Sequence, residues 1–260
     1  MPMIDADGCP IHVEVEGPEG APALMLSNSL GTNLTMWDPQ VSALAKTFRL
    51  IRYDRRGHGQ SGAPKGPYSI ERLGRDVLAV LDALKIQKTH WCGLSMGGMV
   101  GQWLGANAPE RMDRIILSNT ACYYADKEFW AGRIRLLREK GLGAVVAPTM
   151  ERWFSKGFRD RSPQTIASMS EILLKTPLEG YIGCCEAIRD MDHREALTRI
   201  KTPVLTIAGK LDPATTVEDA EFIHGRVPGS KLTIIEAAHI SNVEQPEVYT
   251  KAMLDFLTAR

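Results

Sequence analysis

The sequence predicts an α/β protein, built on a mostly parallel, doubly wound sheet with a helical segment inserted after its middle. Three observations carry this. Short continuous apolar runs, as strands buried on both faces require, alternate with stretches of helical period. Polar, glycine-bearing loops follow several of those runs, at the strand ends where such a sheet places its chemistry. Between about residues 121 and 197 the alternation stops, and only helical patterns are found. The expected organisation is therefore a core of residues 1–120 and 198–260 with a helical cap, 121–197, lying over the strand ends.

Taken in order, Ile11, Val13 and Val15 alternate with His12, Glu14 and Glu16, which predicts a half-buried strand in an edge hairpin. Ala23 to Ser27 and Phe48 to Tyr53 are buried strands that empty into polar loops, the second into Asp54-Arg55-Arg56-Gly57-His58-Gly59-Gln60-Ser61. Ser69 caps a helix whose apolar residues Ile70, Leu73, Val77, Val80, Leu81 and Leu84 recur at helical spacing. A strand before Ser95, a helix from Met99 to Ala108 and a buried strand from Asp113 to Ser118 follow.

In the inserted stretch a helix is expected over Phe129 to Lys140, and Pro148 should kink or break the segment Leu142 to Phe154. Helices should begin at Ser162-Pro163 and Thr176-Pro177, the latter with a capping box to Glu179. The sheet resumes at Pro203 to Ala208, Leu232 to Ile235 reads as the last buried strand, and Pro246 opens a final helix.

The chemistry centres on Gly93-Leu94-Ser95-Met96-Gly97, the pattern G-x-S-x-G between a strand and a helix. That turn is so tight that the residues two before and two after the serine must be small, and it leaves the hydroxyl beside a helix N-terminus that favours negative charge. Ser95 is the candidate nucleophile. A serine needs a base, and the base needs a third group to fix its tautomer. His239, after the strand Leu232 to Ile235, and Asp212, after the strand ending at Ala208, stand at the right strand ends and in the order serine, acid, histidine. His58 is the nearest rival to His239, but its turn is expected to pack beneath the site. The backbone N–H of Met96 and that of Leu30, in the loop after Ala23 to Ser27, are the expected oxyanion donors.

Composition narrows the function further. The 31 basic residues balance the 31 acidic ones, which points away from nucleic acid and anionic membranes and toward a small-molecule partner. No secretory leader and no membrane-spanning run is seen, and five cysteines without a zinc-like spacing fit reduced thiols in the cytoplasm. A monomer or small homo-oligomer is expected.

The three loops together resemble the alpha/beta hydrolase superfamily over nearly the whole chain. More narrowly the chain is similar to the 3-oxoadipate enol-lactonase family of the beta-ketoadipate pathway. That likeness rests on Ser27 to Gly31 with Trp37, Tyr53 to Ser61, Gly93 to Gly98, Glu151 to Phe154, Thr176-Pro177 through Arg189-Asp190, Gly209 through Asp212-Pro213 to Thr215, and Ala238 to Asn242 with Glu244-Gln245-Pro246. Asn28-Ser29 stands where lipid-active members often carry His-Gly. The resemblance implies hydrolysis of an enol-lactone bearing a carboxymethyl arm through a Ser-His-Asp triad and an acyl-enzyme, with no cofactor.

A carboxylate arm wants a cation in an otherwise apolar pocket. Arg133, three residues after Trp130 on the helix Phe129 to Lys140, is the first choice, with Trp130 and Trp153 as aromatic wall. The same triad would serve another small-ester or lactone hydrolase or a cofactor-free perhydrolase, and a non-catalytic ligand-binding protein is the alternative from another class. Dehalogenases and epoxide hydrolases need a carboxylate where Ser95 stands.

Overall fold

The computed structural model describes residues 3–259. Its strands are β1 (Met3–Asp5), β2 (Pro10–Glu16), β3 (Ala23–Ser27), β4 (Arg49–Tyr53), β5 (Thr89–Leu94), β6 (Met112–Ser118), β7 (Val204–Gly209) and β8 (Lys231–Ile235). They form one 8-stranded sheet in the order β1-β2-β4-β3-β5-β6-β7-β8. Pairing is antiparallel from β1 to β4 through β2 and parallel from β4 to β8. The α/β class and the mostly parallel sheet are thus as expected.

Register explains where the site must be. Ser27 pairs with Gly93, Leu94 with Ser118, Ser118 with Ile207 and Gly209 with Ile235, so the loops after β3, β5, β6, β7 and β8 leave the sheet along one edge. The chain leaves β3 toward β4 on one side and returns to β5 on the other, and crevices form at such a reversal of strand order.

The helices are α1 (Asp38–Leu44), α2 (Ile70–Ala83), α3 (Met96–Asn107), α4 (Lys127–Lys140), α5 (Gly143–Trp153), α6 (Lys156–Arg161), α7 (Pro163–Lys175), α8 (Leu178–Asp190), α9 (Val217–Arg226), α10 (Ser241–Glu244) and α11 (Pro246–Leu257). Ser69 Oγ accepts from Arg72 N at 3.0 Å, capping α2, whose Leu73, Val77, Val80 and Leu81 are buried. α4 to α8 all fall between β6 and β7, and the described residues of that stretch hold no strand.

Four local expectations fail, each for a physical reason. The strand β2 is not at the edge, because β1 pairs with its outer side and β4 with its inner side. Its His12 is consequently buried, with Nδ1 2.9 Å from Asp54 Oδ2. The edges are instead β1 and β8, and on β8, expected to be a buried strand, only Ile235 is buried while Ile234 lies 48% exposed. Of the kink or break expected at Pro148, the break does not occur, because the proline removes a single N–H while burial of Val145 on one side and Thr149, Met150 and Trp153 on the other holds both halves of α5. The capping box at Thr176 does not form either, since Thr176 Oγ1 donates back to Ile172 O at 3.1 Å and closes α7.

Candidate active site

Ser95 joins β5 to α3 with φ 57°, a left-handed conformation that costs a non-glycine residue roughly 1–2 kcal/mol. The neighbouring glycines explain why the turn can exist. A Cβ on Gly93 would lie 2.0 Å from Gly97 O, and one on Gly97 would lie 2.2 Å from Ser27 O. Ser95 N donates to Ser118 O at 2.8 Å, so the sheet ladder continues to the serine itself. Its side chain then stands at the first turn of α3, whose dipole favours negative charge there.

The histidine and the acid meet each other, and His239 lines the same cavity as Ser95. His239 Nδ1 lies 2.8 Å from Asp212 Oδ2, and both residues are buried. Asp212 is held by four further donors: Thr215 Oγ1 at 2.7 Å and Asn119 Nδ2 at 3.0 Å on Oδ2, with Ala214 N at 2.8 Å and Thr215 N at 3.1 Å on Oδ1. Burial alone would raise its carboxyl, but the charge of His239 and the hydrogen bonds from His239, Asn119 and Thr215 outweigh it and hold the group below the usual carboxylate value. An ionised Asp212 needs the proton on Nδ1 of His239, which leaves Nε2 free to accept one.

The loop carrying Leu30 is braced from below by the rival histidine. Gly31 N donates to His58 Nε2 at 2.9 Å, so that ring nitrogen must be unprotonated. Burial, then the charge of Arg55, pulls His58 down to about 3, and it is a fixed acceptor rather than a base. Gly97 N donates to Asn28 O at 3.2 Å and Arg55 Nη2 donates to the same carbonyl, tying this loop to the first turn of α3. Met96 is fully buried, as its position after the serine requires.

Above these groups lies a cavity of about 280 Å³. Ser95, His239 and Leu30 line it from the sheet side, while Trp130, Arg133 and Trp153 line it from α4 and α5. Arg133 Nη2 donates to Tyr181 OH at 2.6 Å and to Thr149 Oγ1 at 3.0 Å. One cavity thus brings together the candidate nucleophile Ser95, the candidate base His239 and the guanidinium of Arg133, with Trp130 and Trp153 among its lining.

Several residues were missed in the sequence. Asn119, at φ 42°, follows β6 as Ser95 follows β5, and the strand-end rule could have found it. Besides Asp212 it donates to Ala238 O at 3.2 Å, next to the histidine, and it accepts from Ser241 Oγ at 2.6 Å. Buried Glu244 accepts from Ala238 N and Ser155 N, each at 3.1 Å, and from Ser155 Oγ, while Ile240 N donates to Trp153 O at 3.0 Å. Both neighbours of His239 are therefore tied to the segment that carries Trp153, Ile240 directly and Ala238 through Glu244. No sequence signal predicts that contact, because it depends on how α5 docks on the sheet.

A family model described as the alpha/beta hydrolase fold matches residues 22–246. Among curated proteins, 3-oxoadipate enol-lactonase 2 of Acinetobacter baylyi is 46% identical over 237 residues, 91% of this chain and 89% of that protein. Enol-lactonase 1 of the same organism is 40% identical over 98% of this chain and 96% of its own length. The crystal structure of the enol-lactonase from Burkholderia xenovorans LB400 superposes with a TM-score of 0.96 at 42% identity, covering 98% of each chain.

Proposed function

The chain belongs to the alpha/beta hydrolase family, and from that premise we propose that it opens 3-oxoadipate enol-lactone to 3-oxoadipate by nucleophilic catalysis at Ser95. It is a carboxylic ester hydrolase acting on a small molecule. Residues 121–197 form the cap over the sheet edge, and the cytoplasm, where five free buried cysteines stay reduced, is its compartment.

His239 Nε2 takes the proton of Ser95 Oγ as the oxygen attacks the lactone carbonyl. The carbonyl oxygen gains negative charge and is received by the N–H groups of Met96 and Leu30, beside the N-terminus of α3. Collapse breaks the ring carbon–oxygen bond, and the imidazolium of His239 returns its proton to the departing enol oxygen. An enol is a far better leaving group than an amine, and tautomerisation to the ketone removes it from the back reaction. Water, deprotonated by His239, then attacks the acyl-enzyme and releases the second carboxylate while Ser95 regains its proton. Asp212 keeps the imidazole in the required tautomer throughout and stabilises its charged form.

The observation that carries this reading is that Ser95, His239 and Arg133 line one and the same cavity. A lactone ring over the serine directs its carboxymethyl arm away from the triad. Arg133 receives that arm, and Trp130 and Trp153 pack the ring. The test is direct: purified protein should bleach the ultraviolet absorbance of the enol-lactone with a kcat/KM far above that for simple aryl esters. Preference for the aryl esters would refute the substrate assignment.

A further inference from the structure

The lining of the cavity holds a second cation beside Arg133. Arg152, on α5, lines the same cavity as Arg133 and donates from Nη2 to the same Thr149 Oγ1, at 3.4 Å. The guanidinium of Arg152 otherwise faces the ring of Phe129 at 5.9 Å, and that of Arg133 faces the ring of Tyr181 at 5.7 Å. Neither arginine has an ion-pair partner among the described residues, whereas Arg52, Arg56, Arg72 and Arg75 all have one. Two donors in this cluster, Arg133 Nε and the indole Nε1 of Trp130, are buried without any acceptor. Burial, and then the nearby charge of Arg133, weakens the hold of Arg152 on its proton. Two half-buried like charges that share one hydroxyl repel each other, and buried donors without acceptors add a cost. An anion placed between the guanidiniums relieves both at once.

We infer that Arg133 and Arg152, with Thr149 and Tyr181, form a two-guanidinium clamp for one anionic head group, and that its doubled charge favours a dianionic head over a carboxylate. This rests on the lactone reading, in which the arm points to Arg133, and it deepens that reading. Selection at the clamp is by charge. It is independent of the chemistry at Ser95, so the site should also take a phosphonate on a short alkyl chain.

Binding can be measured without turnover, on Ser95→Ala protein titrated calorimetrically with butyrate and with propylphosphonate at pH 8. The clamp predicts that propylphosphonate binds at least tenfold more tightly than butyrate, and that adding Arg152→Leu brings the two within about threefold. Equal affinities in the presence of Arg152, or an equal loss for both anions on its removal, would overturn the clamp. Kinetics give an independent measure on the enzyme with Ser95 intact. Arg152→Leu should raise KM for the carboxylate-bearing lactone about tenfold more than KM for a neutral ester, with Arg152→Lys between it and wild type. Equal losses on both substrates would reduce Arg152 to a brace for Phe129. Absence of enol-lactone turnover with phosphonate binding preserved would instead sink the substrate assignment and leave the clamp standing.

Discussion

Replacing Asn119 by glycine tests how far the acid of the triad depends on a residue outside it. The side chain donates to Asp212 at 3.0 Å and to Ala238 O at 3.2 Å, and accepts from the buried Ser241 hydroxyl at 2.6 Å. Loss of a hydrogen bond to an ionised group costs about 1.5–3 kcal/mol, and a buried hydroxyl left unpaired costs about 1–3 kcal/mol. Asn119→Gly should therefore lose about 3–5 kcal/mol of stability in urea unfolding. Its kcat/KM should fall about 10- to 100-fold, because Asp212 and the peptide before His239 both lose a fixed partner. Glycine is chosen because Asn119 sits at φ 42°, where alanine adds roughly 1 kcal/mol of backbone strain. Asn119→Ala should thus match Asn119→Gly in activity and be less stable by about that amount. An Asn119→Gly protein within threefold of wild-type kcat/KM would refute the idea that this residue holds the acid in place.

Four further outcomes follow from the geometry. Ser95→Gly should abolish turnover yet stabilise the fold by about 1 kcal/mol in urea unfolding, since it relieves the φ 57° strain; loss of stability would contradict the strained elbow. Arg133→Leu should raise KM for the carboxylate-bearing lactone by one to two orders of magnitude more than for a neutral ester, about 1.5–3 kcal/mol for a charge-assisted contact; equal losses would remove Arg133 from the site. Asp212 is depressed in the folded state, so below its ordinary value the unfolded chain takes the proton first. Its contribution is therefore present above about pH 4 and lost as pH falls through the folded value, and Asn119→Gly should begin acid unfolding at a higher pH than wild type. His58, held neutral to about 3, makes stability fall as pH drops below its ordinary value of 6.5, by about 1.4 kcal/mol per unit at most. Circular dichroism of His58→Gln, whose amide oxygen can still accept from Gly31 N, should show a shallower fall over that range.

The legible parts of this protein are those that local chemistry dictates. A continuous apolar run identifies β3 because both of its faces are covered, and Ser69 marks the start of α2 because its oxygen caps the first turn. Ser95, Asp212 and His239 are legible as candidates because each follows a strand whose end the pattern locates. The edge position of β8 was missed because Leu232 to Ile235 is apolar whether or not a neighbour covers it. Thr176 carries the signature of a start and acts as a stop, since α7 ends within reach of its hydroxyl. Glu244 and Arg152 carry no local signal of their function, and Asn119 shows only that it follows the end of β6. Asn119 reaches Asp212 across 93 positions, Glu244 reaches Ser155 across 89, and Arg152 matters only because α4 and α5 bring it beside Arg133.

The central claim is a covalent acyl-enzyme on Ser95, and intact-protein mass spectrometry after rapid acid quench of the enzyme mixed with enol-lactone tests it most directly. The account predicts an adduct of the full substrate mass on the peptide carrying Ser95, formed in step with substrate loss, and neither adduct nor turnover in Ser95→Ala. Turnover by Ser95→Ala near the wild-type rate, or an adduct on any other residue, would contradict it.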